Sequence, residues 1–280
     1  MESRKAQLAV VIIMLTVVCS SPALALPPMG PPKATLGENQ WAVDFKYAYQ
    51  EMDLELNGKV RENLGAGWSQ NYLTKYTIEE LTSNMFLGSL GYGICDTWDV
   101  FVHLGAGDAK DDIAEILGCG RPGWRYQGFN GGYGLVWGLG TRATFGQEGN
   151  LTWGGLFQMT WSNPGDSSVK LRGDPEFSGD VELDFWEIQI AAGPTLQFDG
   201  FSIYGGPFLH FVKGDMDLKG STVEESVTLL VESSADIREE SIFGGYGGVQ
   251  WDIAEKVCWY TEYQFTGDAW GFGTGIVWKF

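Results

Sequence analysis

Residues 41–50 read WAVDFKYAYQ. Trp41, Val43, Phe45, Tyr47 and Tyr49 alternate with Ala42, Asp44, Lys46, Ala48 and Gln50. Successive side chains of a strand point to opposite faces, so this stretch has one aromatic-apolar face and one small-or-polar face. The template recurs along the chain. It is found in Trp98, Val100, Val102, Leu104 and Ala106, and again in Phe129, Tyr133, Leu135, Trp137 and Leu139 with Gly132, Gly134, Gly138, Gly140 and Arg142 opposite. Leu151, Trp153, Phe157, Met159 and Trp161 form another stripe; Trp186, Ile188, Ile190, Ala192 and Leu196 form the next, against Glu187, Gln189, Thr195 and Gln197. Phe201, Ile203, Leu209 and Phe211 oppose Ser202, Tyr204 and His210. Val257, Trp259, Thr261, Tyr263 and Phe265 oppose Glu262 and Gln264, and Trp270, Phe272, Thr274, Ile276, Trp278 and Phe280 close the chain. Two glycine- and tyrosine-rich segments, 74–94 and 239–251, read as extended with no inner face assigned. Ten strands result.

Composition agrees with a folded chain. Only 19% of the 280 residues are charged, 14% are aromatic, and glycine numbers 40. Disorder requires few aromatics and a high charge density. A formal charge of −18 disfavours nucleic acid, whose phosphates call for a basic face. At the N-terminus, Arg4 and Lys5 precede an apolar run from Leu8 to Val18, then Pro22 and Ala23-Leu24-Ala25. This is the pattern of a secretory signal peptide over residues 1–25, cut after Ala25. The run is shorter than the roughly 20 residues of a spanning helix. Cys19 follows Val17 and Val18 rather than the small residues of a lipid-attachment site. Residues 26–40, with their prolines, read as a periplasmic lead-in to a barrel over 41–280.

The connectors alternate in length. Short turns are expected at 95–97, 147–149, 199–200 and 252–256, and long loops at 57–73, 108–128, 162–180 and 215–238. Short turns on one side and long loops on the other are the arrangement of a transmembrane antiparallel up-and-down β-barrel. An even strand number places both ends on the periplasmic side. A soluble β-sandwich or a soluble up-and-down barrel is the alternative, because period two alone does not say which face is inside. Gly, Gln, Thr, Asp, Lys, Arg and Glu on the second face would make a poor sandwich core, where an unpaired charge is costly.

The leader, the alternating strands and the terminal Phe280, with Trp278, Ile276, Thr274 and Phe272 before it, resemble the bacterial outer-membrane β-barrel superfamily, in particular its small eight- to ten-stranded members. The resemblance covers residues 41–280. It implies an outer-membrane location in a Gram-negative cell envelope, and contact with outer-membrane lipid and lipopolysaccharide. It also implies handling by periplasmic chaperones and by the insertion machinery, which would read Phe280 and Trp278. It does not imply an activity, since channels, adhesins, structural proteins and hydrolases share the fold.

If the stripes face lipid, the lumen receives Asp44, Lys46, Asp99, His103, Arg142, Glu187, His210, Glu262 and Lys279. In a barrel little wider than one filled by its own side chains, these opposite charges are expected to pair, although the lumen glycines leave room for a thin water path. Acidic residues cluster in two loops, with Asp108, Asp111 and Asp112 in one and Glu224 and Glu225 in the other; solvated surface is the plain reading, a loose cation site or a cation-attracting mouth the sharper one. Residues 111–117 could make a short helix. Among barrels of this superfamily the omptins are proteases, and others hydrolyse lipids with a Ser–His pair. Here only His103 and His210 are available, both on the lumen face, and no G-x-S-x-G or H-E-x-x-H motif occurs. Cys95, Cys119 and Cys258 match no metal motif, and Cys95 and Cys258 lie too far apart around the ring to bridge. The expectation is a barrel of structural or surface-interaction type, without metal or cofactor and not an enzyme. A narrow, porin-like, cation-favouring channel is the alternative, and a barrel hydrolase the weaker one.

Overall fold

The computed structural model describes residues 26–63, 69–111, 125–127, 129–165, 167–172, 177–224, 227–239 and 241–280. They form strands β1 (Trp41–Asn63), β2 (Ser69–Cys95), β3 (Trp98–Asp111), β4 (Arg125–Gln127), β5 (Phe129–Glu148), β6 (Leu151–Asn163), β7 (Ser167–Arg172), β8 (Phe177–Phe198), β9 (Phe201–Glu224), β10 (Val227–Glu239), β11 (Phe243–Ala254), β12 (Val257–Phe265) and β13 (Ala269–Lys279). All pairings are antiparallel. β9–β11–β12–β13–β1–β2–β3–β5–β6–β8 is a continuous ladder, and β8 pairs back onto β9. Among the described residues this closes a ring of ten strands, which leaves no edge in the barrel. The seam joins first strand to last: Trp41 and Phe280 exchange backbone hydrogen bonds of 3.1 and 2.9 Å. Four two-residue turns lie at one end, at 96–97, 149–150, 199–200 and 255–256. Gly149 and Gly200 take positive φ there (57° and 79°), a conformation that costs glycine nothing.

The outer wall at this end is apolar. Phe45, Val102, Leu104, Trp153, Ile203, Ile276 and Trp278 are all exposed, a belt that water would not tolerate and lipid does. The apolar runs measure nine residues on β1 (Trp41–Tyr49) and eleven on β9 (Phe201–Phe211), the length needed by a tilted membrane-crossing strand, about 9–11 residues.

The strands do not stop at the edge of the belt. The expected loops at 57–73 and 215–238 are instead hairpin: β1 runs to Asn63, β2 begins at Ser69, β9 reaches Glu224 and β10 fills most of the rest. β7 and the start of β8 occupy part of 162–180 as well. Across the belt edge the alternation continues with inverted polarity. On β1, Glu51, Asp53, Glu55, Lys59 and Arg61 succeed Tyr49 on the outer face, while Met52, Leu54, Leu56 and Val60 succeed Gln50 on the inner face and are buried. On β9, Lys213, Asp215, Asp217 and Lys219 face out, and Val212, Met216 and Leu218 face in. β8 changes between Trp186 and Asp184, with Phe185, Leu183 and Val181 inside. The result is a tower with an apolar core and a charged surface, standing on a barrel built the other way round.

A bulge in the β1–β2 ladder marks the joint, where Glu79 and Glu80 of β2 stand against the single Asp53 of β1. Up to Met52, β1 pairs with β13 (Met52 opposite Ala269); from Leu54 onward it pairs with β10 (Leu54 opposite Glu239). One strand, β10, thus takes over where β11, β12 and β13 end. Asp53 N donates to Asp268 O (2.8 Å), and the Asp268 carboxylate accepts from Ser241 N (2.6 Å) and Thr266 Oγ1 (2.7 Å). This aspartate ties together the loop before β13, the start of β11 and the bulge.

Two expectations about the acidic loops are corrected. Asp108 and Asp111 belong to β3, and Asp108 is buried, accepting from Asn84 N (2.7 Å) and paired with Lys110 (2.8 Å). Its carboxylate stitches β3 to β2 and is not a solvated loop charge. Glu224 ends β9; Asp112, Glu225, the leader, Cys119 and the helix expected from Asp111 onward fall outside the described residues, Asp111 itself excepted as the last residue of β3. Cys95 and Cys258 are both free thiols.

Candidate functional site

The lumen of the barrel holds the chain's own N-terminal segment. Residues 26–36 were expected outside the barrel; they run inside it from the turn end upward, and Leu26, Met29 and Leu36 are fully buried. Their proline-rich sequence, LPPMGPPKATL, suits this strap: it cannot join a sheet ladder, and its extended backbone leaves amides and carbonyls for the wall to satisfy.

Three rungs hold it. At the turn-end mouth, Asp99 Oδ2 accepts from Thr35 N (2.6 Å), Thr35 Oγ1 (3.3 Å) and Leu36 N (3.3 Å), while its Oδ1 accepts from Arg142 Nε (3.1 Å). Higher up, the two oxygens of Glu262 accept from Met29 N and Gly30 N, both at 2.8 Å, and Oε1 also takes Gln264 Nε2 at 2.7 Å. Above that, Pro27 O accepts from Gln158 Nε2 (2.9 Å) and Gln264 Nε2 (3.1 Å), within a chain of amides in which Gln158 bonds Gln189, and Gln189 bonds Gln264 at 2.7 Å. Charge-assisted bonds to buried carboxylates are the stronger kind, and two of the three rungs use them.

The wall is cut to fit. A Cβ on Gly273 would stand 2.4 Å from Pro28, one on Gly154 2.2 Å from the Pro32 carbonyl, and one on Gly93 1.9 Å from the Gly37 carbonyl. These lumen glycines were expected to leave a water path; they hold strap backbone instead. Beside the strap, near Lys46, Tyr260 and Lys279, lies a cavity of about 20 Å³, room for roughly one water.

The charges expected in the lumen sort into pairs and seats. Lys46 lies 3.5 Å from Asp44, and Lys46 and Arg142 both sit over the Phe101 ring, 5.1 and 4.8 Å from its centre. Glu187 contacts His210 at 3.2 Å and accepts from Gln50 Nε2 at 3.4 Å. His103 bonds Thr160 Oγ1 at 3.1 Å, and Thr160 is the cross-strand partner of Glu187. Lys279 lies at the turn-end mouth near Lys33, whose amine is held below its usual range first by burial and then by the Lys279 charge. His103 and His210 are brought to neighbouring parts of the lumen but share no acid: only His210 has a carboxylate beside it. Trp278 and Phe280 are exposed on the outside of the closing seam. A buried apolar cluster adjoins the polar rungs: Leu26, Met29, Leu156 and Phe208 lie at the level of the strap, and Phe185, Leu183, Leu54 and Leu56 continue it into the tower.

No protein-family model matches the chain, and no curated protein matches it. Among solved structures it is similar to the outer membrane protease OmpT from Escherichia coli (8% identity, TM-score 0.44, 91% of this chain and 99% of that one). It is also similar to the translocator domain of autotransporter NalP from Neisseria meningitidis (10%, 0.42, 88% and 90%) and to the outer membrane protein OprG from Pseudomonas aeruginosa (12%, 0.39, 87% and 97%). These likenesses are loose, and the character of this barrel rests on its own wall and lumen.

Proposed function

We propose that this protein is a bacterial outer-membrane barrel sealed by its own N-terminal strap, serving a structural or surface-interaction role through the tower. The turn end and the C-terminal Phe280 belong on the periplasmic side, the strap rises from there into the lumen, and the tower stands on the cell exterior. The observation that carries this is the strap: residues 26–36 occupy the lumen, and Asp99 and Glu262 are spent on its backbone amides. A second seal stands in series, because the tower part of the buried apolar cluster, with Phe185, Leu183 and Leu54, would shed water even where space allowed it. The buried histidines support a non-enzymatic reading: His103 and His210 lie inside the lumen, below the tower core of Phe185 and Leu183, away from any substrate arriving from outside. The tower supports the surface role. Thirteen residues of β1 lie beyond the belt (Glu51–Asn63), and at about 3.3 Å each the hairpin reaches roughly 40 Å along its own axis.

Single-channel recording of refolded protein in a planar bilayer tests the proposal. A silent membrane, with folding shown by heat-modifiable gel mobility, is the expected result. Steady, cation-selective openings would overturn the sealed barrel and favour a narrow channel in its place.

A further inference from the structure

The strap climbs past three rungs to Leu26, the residue before Pro27, whose carbonyl is held by Gln158 and Gln264 of the amide chain. On β8 the next inward position beyond Gln189 in that direction is Glu187. Its carboxylate is buried, yet its two contacts are long and neither supplies a committed positive charge: an amide at 3.4 Å, and a histidine at 3.2 Å whose own Nδ1 has no partner among the described residues. Around it the acceptors Gln50 Oε1, Ser83 Oγ and Ser162 Oγ are buried without a hydrogen-bond partner among the described residues. A buried carboxylate ringed by unfilled acceptors is a seat for a compact cation with several N–H donors.

We infer that cleavage between Ala25 and Leu26 supplies that cation: the new α-ammonium of Leu26 docks on Glu187 and locks the strap in the lumen. The inference rests on the strap-sealed reading above and on removal of the leader. The step is a peptide hydrolysis by a leader peptidase. Water's hydroxyl stays on the Ala25 carbonyl carbon as a carboxyl group, its hydrogen goes to the Leu26 nitrogen, and the amine takes up a further proton. Before cleavage the Leu26 nitrogen has one N–H to offer; afterwards it has three and a charge, which matches an acid and its neighbouring acceptors. Processing is then the event that completes the plug, and an unprocessed chain carries no group able to fill the seat.

The test uses full-length mature protein, starting at Leu26 and refolded, with acylation of its α-amine by a water-soluble succinimidyl ester at pH 7. Mass spectrometry of the N-terminal peptide gives the rate. The native protein should react at least about tenfold more slowly than the unfolded chain, and Glu187→Gln should recover most of that factor. In parallel, a thiol introduced by Met29→Cys reports whether the strap is seated. Protection of the amine that is unchanged in Glu187→Gln overturns the ion pair. A native amine as reactive as the unfolded one, with the introduced thiol still shielded, does the same. If both the amine and that thiol are freely accessible in the native protein, the strap reading itself fails. A second variant guards against misfolding: a Gly-Ser extension before Leu26 moves the ammonium off its seat. It should raise labelling of the strap thiol about tenfold with heat-modifiable mobility intact, and unchanged labelling would overturn the lock.

Discussion

Removal of the Glu262 carboxylate should release the strap while leaving the barrel standing. Glu262 accepts three hydrogen bonds, two of them from Met29 N and Gly30 N at 2.8 Å. In Glu262→Ala those two amides stay buried without partners, at about 1–3 kcal/mol each. Some of this returns through water entering the space, leaving roughly 2–4 kcal/mol against the seated strap. At about tenfold per 1.4 kcal/mol, the strap should be unseated about 30- to 700-fold more often. The assay is thiol labelling of Met29→Cys, a buried position, in a background with Cys95, Cys119 and Cys258 replaced by serine. Labelling should accelerate by that factor in Glu262→Ala, while gel mobility still reports a closed barrel, because no bond of the ten-strand ladder passes through this side chain. Glu262→Gln, which keeps one acceptor oxygen, should fall between. Equal labelling at position 29 with and without Glu262→Ala would refute the idea that this carboxylate holds the strap.

Other outcomes follow from the same structure. Phe45→Arg, in the exposed belt, should cost about 2–4 kcal/mol in vesicle unfolding titrations, whereas Asn57→Arg on the tower surface should stay within about 0.5 kcal/mol. Phe185→Ala, at the buried floor of the tower, should cost about 3–5 kcal/mol by the same measurement. Asp268→Ala removes the acceptor of Ser241 N and Thr266 Oγ1, and amide exchange at Ser241 should speed up while exchange at the seam residues Trp41 and Phe280 is unchanged. Deletion of residues 26–36 alone should leave planar bilayers silent, since the apolar cluster around Phe185 and Phe208 persists.

The ten barrel strands were legible because lipid demands large apolar side chains on every second residue, and the chain supplies them from Trp41 to Phe280. The tower was not, although it obeys the same period. Glu51, Asp53 and Glu55 alternate with Met52, Leu54 and Leu56 as strictly as Trp41, Val43 and Phe45 alternate with Ala42, Asp44 and Lys46. What changes is which phase is apolar, and a search for stripes in one phase ends at the point of inversion and takes the remainder for loop. The strap hid for another reason. Prolines at 27, 28, 31 and 32 give the same local signal in a solvated linker as in a segment laid along a lumen. It is held through its own backbone amides and carbonyls, which no pattern of its side chains advertises. The glycines opposite it, Gly154 and Gly273, carried the only trace, as small residues on an otherwise polar inner face. The lumen residues themselves were placed by alternation alone; what Asp99 and Glu262 hold depends on a chain segment distant in sequence.

The inversion of polarity along β1, β8 and β9 also works as a waterline. A vertical slip by two residues toward the turn end would drag Glu51 and Lys213 into hydrocarbon, and a slip the other way would lift Tyr49 and Phe211 into water. Either displacement is opposed at several points around the circumference at once, so the molecule floats at one draught and resists listing. Whatever meets the tips of the tower therefore meets them at a constant height above the belt, on a mast whose strands β1, β2, β8 and β9 are the barrel's own.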